Sequence, residues 1–147
     1  MRLLIQRVTH AQVITNNQLI GKIEHGLLLF LAIHRKDDKT HIRKLIDKVI
    51  YLRIFEDQQG KMTLSIRESR GKILLISQFT LYANCQKGRR PSFADTASFE
   101  EAKILYEIFA QELRKVMGNA HVATGKFGTH MQIELINDGP VTLLLDS

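Results

Sequence analysis

From Leu27 to Ile33 the chain runs Leu-Leu-Leu-Phe-Leu-Ala-Ile without a polar residue. An unbroken apolar run of that length fits a strand buried on both faces. Lys72 to Leu81, entered from Gly71, reads as a second buried strand. Arg53 to Phe55 and Met62 to Ile66 flank Asp57-Gln58-Gln59-Gly60, a turn signal between two strands. Met131 to Ile136 alternates apolar and polar, as a half-buried strand does, and Val141 to Leu145 closes the chain. Two other segments repeat at helical spacing. Ile42, Leu45, Ile46, Val49 and Ile50 form one stripe after Asp37-Asp38, whose carboxylates suit a helix N-terminus. Ser98 with Glu101 is a capping box. Ala102, Leu105, Tyr106, Phe109, Leu113 and Val116 then predict a buried face, and Gly118 the stop. Strands outnumber helices and cluster instead of alternating with them. The pattern predicts an α+β fold with two main helices and a largely antiparallel or mixed sheet, curled into a barrel-like form.

Nothing divides the chain. It has no repeat or linker, and its only prolines are Pro91 and Pro140, so 147 residues predict a single domain over 1–147. Apolar residues at 44% and charged residues at 24% are the balance of an ordinary globular protein with core enough to fold unstapled. The one cysteine, Cys85, permits no internal disulfide, which points to a reducing compartment. Gln6 and Arg7 arrive too early for a secretory apolar region, and no run is long enough to cross a bilayer. A cytoplasmic protein with no membrane partner is the expectation. The formal charge of +6 favours a polyanionic partner, above all nucleic acid, although the same surplus serves simple solubility. With no Trp and 7% aromatics, the composition advertises no stacking platform for single strands.

Chemistry is sparse. The histidines at 10, 25, 34, 41, 121 and 130 form no H-x-x-x-H pair and have no cysteine cluster beside them, so neither a metal nor a cofactor is expected. There is no G-x-S-x-G elbow, P-loop or dinucleotide fingerprint, and nothing local marks Cys85 as activated. Two places stand out. Ser77-Gln78-Phe79-Thr80-Leu81 brings polar residues to the end of an apolar strand, where sites often form. A strand that merely surfaces gives the same pattern, and pattern alone favours it. Asn137-Asp138-Gly139-Pro140-Val141-Thr142 lies between two strands and reads first as a hairpin turn. Yet proline directly after Asp-Gly fits a tight hairpin poorly, because it donates no ladder hydrogen bond, and X-Pro is where cis bonds are found. Between the two, Lys87-Gly88-Arg89-Arg90-Pro91-Ser92-Phe93 sets three cations in a loop, either to grip phosphates or simply to face water.

In order and spacing these segments resemble the D-aminoacyl-tRNA deacylase family, of the D-tyrosyl-tRNA deacylase type. Ser-Gln-Phe-Thr-Leu at 77–81 and Asn-Asp-Gly-Pro-Val-Thr at 137–142 match its two signature motifs. Ile5-Gln6-Arg7-Val8, Tyr51 to Phe55 with Gly60-Lys61-Met62, Gly88 to Phe93, and Thr124 to Phe127 followed by Met131-Gln132 extend the likeness over the full length. Tyr82 and Asn84-Cys85 depart from it, standing where relatives carry small or acidic residues, and Gly128-Thr129-His130 replaces a more alanine-rich stretch.

The resemblance implies a homodimer with two sites at its interface. The substrate it implies is the ester joining a D-amino acid, or glycine, to the terminal adenosine of tRNA. It makes Ser77, Gln78, Phe79 and Thr80 the catalytic segment. It makes Gly139 and Pro140 a cis wall, contributed across the interface, that rejects L-amino acids. Arg7 is the implied support of that wall, Met131 a further substrate-side residue, and Lys87, Arg89 and Arg90 the candidate tRNA contacts. An activated ester needs no powerful nucleophile, so backbone N–H groups near Phe79 and Thr80 are candidates for the oxyanion contacts. A covalent role for the Thr80 hydroxyl stays open. So do two other classes: a nucleic-acid-binding module without catalysis, which leaves both motifs unexplained, and a general serine esterase using Ser77 or Thr80.

Overall fold

The computed structural model describes residues 1–147. Strands β1 (Arg2–Thr15), β2 (Gln18–Ile23) and β3 (Gly26–Ala32) precede helix α1 (Lys39–Tyr51). The short hairpin β4 (Phe55–Glu56) and β5 (Met62–Leu64) follows, then β6 (Lys72–Ser77), α2 (Phe99–Met117), β7 (Val122–Thr124) and β8 (Gln132–Asp146). Strand β1 is the spine. Along one edge it pairs antiparallel with β2 and β3 in succession, and along the other with β8. Strands β3, β6 and β7 then pair in parallel, so the sheet is mixed. It curls until Gly21 of β2 lies against the Thr124 carbonyl of β7, which nearly closes a barrel.

Apolar residues on both faces of the central strands explain their unbroken runs. Leu27, Leu29, Leu31, Ile73 and Leu75 point to the helices and meet Ile42, Leu45, Phe109 and Leu113. Leu28, Leu74 and Ile76 point the other way and meet Val8, Ala11 and Val13 inside the curl. Both helices begin as expected, α1 capped by Asp38 and α2 by Ser98 with Glu101.

Several boundaries differ from the sequence reading. Val116 lies outside the buried face of α2 and is exposed. Only Phe55 of the 53–55 segment is in a strand, and β5 stops at Leu64, leaving Ile66 buried in the turn beyond it. The strand expected over 72–81 ends at Ser77. The Gln78 N–H still reaches the Leu31 carbonyl at 2.8 Å. Strand β3 ends at Ala32, so the ladder has no further partner to offer, and the chain winds into a 3-10 turn, Phe79–Tyr82. Strand β1 hides its alternation because Arg7 takes an inward position and the register slips at Val8.

Gly26 fixes how close β3 and β6 approach. A Cβ there would sit 1.8 Å from the Lys72 carbonyl oxygen, a backbone atom that cannot swing aside. Gly26→Ala should therefore cost about 1–3 kcal/mol, the usual range for overpacking, as measured by urea unfolding with an unchanged m-value.

Candidate active site

A cavity of about 600 Å³ opens where β3 and β6 end, between the sheet and α2. That is within the usual size of small-molecule sites. Ser77 and Gln78, followed by Phe79, form its lip, while Phe99, Tyr106, Phe127, Met131 and Ile133 form largely apolar walls. The Phe99 and Phe127 rings meet edge to face at 5.3 Å, and Tyr106 lies tilted against Phe127 at 5.4 Å. The Tyr106 hydroxyl donates to the Leu75 carbonyl at 2.9 Å, and burial pushes its phenol well above the ordinary range.

The 3-10 turn after the lip buries none of its own side chains. It is held from outside. An Arg2 Nη1 donates to the Leu81 carbonyl at 3.1 Å, and the guanidinium lies 4.9 Å over the Tyr82 ring. His34 meets that ring edge-on at 5.2 Å. Burial, and then Asp37 and Asp146, push the Tyr82 phenol up to about 12, with Arg2 opposing. The first N–H bonded within the turn is that of Leu81, to Gln78. The N–H groups of Phe79 and Thr80 precede it, where the turn itself supplies no acceptor. The Thr80 hydroxyl oxygen accepts from the Gln78 side-chain amide, with no histidine or carboxylate among its partners.

The segment read as a hairpin turn is part of one continuous strand. The β1–β8 register jumps from Gln6↔Thr142 to Val8↔Asn137, and residues 138–141 arch out of the ladder. Asn137 staples the arch shut. Its Oδ1 accepts from the Val141 N–H at 2.9 Å, and its Nδ2 donates to the Val141 carbonyl at 3.2 Å. From below, Arg7 Nε donates to the Asp138 carbonyl at 3.1 Å. The Gly139-Pro140 bond is cis, and both residues are exposed. At Gly139 φ is +132°, and a Cβ would meet the Val141 N at 2.8 Å, so only glycine fits.

Ser77, Gln78, Phe79 and Met131 thus share one cavity, and Thr80 stands just outside its lining. Gly139, Pro140 and Arg7 belong to the arch and do not line this chain's own cavity. Lys87, Arg89 and Arg90 lie on an exposed loop closed by the paired backbone bonds of Asn84 and Ser92, and none of the three forms an ion pair. Sequence reasoning missed the cavity roles of Phe99, Tyr106, Thr129 and His130 and the staple at Asn137. Tyr106 satisfied the core-facing period of α2, which conceals a cavity wall inside an ordinary amphipathic stripe. No group of three His, Cys, Asp or Glu side chains is placed to hold a metal.

Comparison with known proteins gives first a class and then a family. The chain is 51% identical over 147 residues to the D-aminoacyl-tRNA deacylase of Thermosipho melanesiensis, covering 100% of this chain and 97% of the relative. It is 48% identical, with the same coverage, to that of Desulfotalea psychrophila. Among solved structures, a c-Myc DNA unwinding element binding protein superposes with a TM-score of 0.95 at 36% identity, covering 100% of this chain and 99% of that one. A probable eukaryotic D-amino acid tRNA deacylase superposes at 0.87 with 19% identity over 99% and 98% of the two chains, which speaks for the fold alone. The class is that of hydrolases acting on ester bonds. The family model for D-Tyr-tRNA(Tyr) deacylase matches residues 4–146, and the chain belongs to that family.

Arg7 is 4% exposed and, besides Asp138, donates to the Ile54 carbonyl at 2.6 Å and approaches Glu56 Oε1 at 3.4 Å. Arg7→Met leaves those acceptors without their donor. The expected loss is about 1.5–3 kcal/mol, the range for hydrogen bonds to a charged group. Thermal unfolding gives the value, and amide exchange over 137–142 should quicken more than in β3.

Proposed function

We propose that this protein hydrolyses the ester of D-aminoacyl-tRNA, and of mischarged glycyl-tRNA, releasing the free amino acid and tRNA. The observation that carries the reading is the cavity lip. Ser77, Gln78 and Phe79 line an apolar cavity, and the N–H groups of Phe79 and Thr80 open the turn beside it. Water adds to the ester carbonyl carbon, and the developing oxyanion accepts from those N–H groups. The carbon–oxygen bond to the ribose then breaks, and the leaving oxygen takes the proton lost by the water. The substrate's own 2′-hydroxyl orients that water. Positioning supplies most of the rate, since an aminoacyl ester is already activated. Met131 shapes the cavity wall beside the bound amino acid.

Selection for the D-configuration is assigned to a second copy of the chain. In this reading, Gly139 and Pro140 of the partner subunit enter the cavity and stand where an L side chain would point. Specificity then comes from a clash, whatever the side chain's identity. Three features support the reading: the arch is exposed, it does not line its own cavity, and it sits on a sheet edge carrying exposed Ile136 and Leu144. Sedimentation at micromolar concentration should give twice the 16.9 kDa chain mass. A fully active monomer removes the wall from the mechanism.

Hydrolysis of D- and L-aminoacyl-tRNA is the decisive assay, with D-esters cleaved and L-esters left intact. Lys87, Arg89 and Arg90 contact the tRNA backbone in this scheme. The structural neighbour named for DNA binding favours a second reading, nucleic-acid binding without catalysis, which gains support if neither ester is cleaved. Thr80→Ala should keep kcat/KM within about tenfold of the parent, whereas removing a true covalent nucleophile costs about 10,000-fold or more. A trapped acyl-Thr80 adduct would replace the backbone mechanism with a covalent one.

A further inference from the structure

The rings of Phe79 and Phe93 have no part in the hydrolysis described above, where Phe79 serves only through its backbone. Both side chains face solvent, Phe79 at 56% and Phe93 at 37% exposure. Their rings meet edge to face, with centroids 5.0 Å apart and planes at 63°. Phe79 lines the cavity, so the pair stands at its rim. Ser92, the residue before Phe93, closes the cationic loop through its reciprocal bonds with Asn84 at 2.8 and 2.9 Å. The loop's Lys87, Arg89 and Arg90 are thereby tethered beside the aromatic pair with no carboxylate engaging them.

Exposed aromatic faces next to unpaired cations are what single-stranded nucleic acid recognises: the base stacks and the phosphate pairs. The 3′ end of tRNA is single-stranded, so the base preceding the terminal adenosine is free to stack. We propose that the Phe79–Phe93 pair is a stacking platform for the nucleobase immediately 5′ of the esterified adenosine, with Arg89 and Arg90 receiving the phosphate that joins the two nucleotides. This inference rests on the deacylase reading. It departs from the expectation drawn from composition, since a chain-wide percentage cannot reveal two phenylalanines placed together outside the core.

The test compares kcat/KM for one D-amino acid esterified to adenosine, to the dinucleotide cytidylyl-adenosine, and to intact tRNA. Stacking of a single base predicts a gain of about tenfold from the adenosine ester to the dinucleotide ester. Phe93→Leu, apolar but without a π-face, should collapse that ratio towards one, and Phe93→Tyr should retain it. Because the readout is a ratio within each variant, a general loss of activity cancels. The proposal is overturned if the parent protein shows no gain from the second nucleotide. It is also overturned if Phe93→Leu keeps the full ratio, or if that variant loses dimer mass with its ratio unchanged, since the rings would then serve an interface between copies of the chain. Hydrolysis of the adenosine ester without the dinucleotide gain refutes the platform alone. Failure to cleave any of the three esters refutes the deacylase reading, and the platform's assignment falls with it.

Discussion

A cation buried beneath the sheet edge sets the shape of everything around it. Removing a guanidinium from water is costly unless its donors are satisfied. Arg7 satisfies them with two backbone carbonyls, those of Ile54 and Asp138, and with the Asp138 and Glu56 carboxylates. These acceptors lie on two pieces of chain far apart in sequence. Ile54 and Glu56 belong to the segment leading from α1 into the small hairpin, and Asp138 begins the arch in β8. The first piece also packs Ile54 and Phe55 into the main core, whereas the arch is exposed at Gly139 and Pro140, and the one guanidinium ties the two together. The β1–β8 register slips between Gln6 and Val8, at the position of Arg7 and opposite the arch it holds.

The legible parts of the fold were those where one local rule acted alone. The capping boxes and the stripes of α1 and α2 were readable because capping and burial agree there. The runs at 27–33 and 72–77 were readable because both faces are covered. The failures came where a long-range partner overrode the local pattern. The strand was expected to run on to Leu81, yet it stops at Ser77 for want of a neighbour beyond β3. Met131 to Leu145 looked like two strands and a turn, because Asp-Gly signals a turn wherever it stands. Only the Asn137 staple and the Arg7 anchor, distant in sequence or invisible to periodicity, make it an arch within one strand.

The site was legible as a list of segments, not as a constellation. Motif order brought Ser77 to Thr80 and Gly139-Pro140 to attention, but nothing in the spacing says that they occupy different regions of one chain. Tyr106 and Phe127 lie more than twenty positions from the lip and join it only through the packing of α2 on the sheet. The missing nucleophile is what turned the proposal towards backbone donors at the 3-10 turn. The Thr80 hydroxyl oxygen accepts from the Gln78 amide, and the Phe79 and Thr80 N–H groups open the turn beside the cavity. Such an arrangement suits stabilising charge on an already reactive ester more than activating a side chain.

The edge that carries the arch poses a problem that the single chain does not solve. Strand β8 pairs only with β1, which leaves its outer backbone groups open, and an open edge invites pairing with other chains. Its outer face makes the exposure worse. Leu144, 53% exposed, stands opposite Leu4, which in turn stands opposite half-buried Phe30, so three apolar side chains run across neighbouring strands in contact with water. Contiguous exposed apolar patches mark surfaces of association. A protruding arch on the same strand would obstruct an indiscriminate flat edge-to-edge contact, because residues 138–141 rise out of the ladder in its middle. A partner able to cover the apolar face must therefore accommodate the arch, and the proposed recipient is the cavity beyond β3 and β6. The device that would exclude L-amino acids thus also restricts which surface can dock. On this reading, assembly and chiral selection are two consequences of one irregularity, fixed in place by the Arg7 guanidinium.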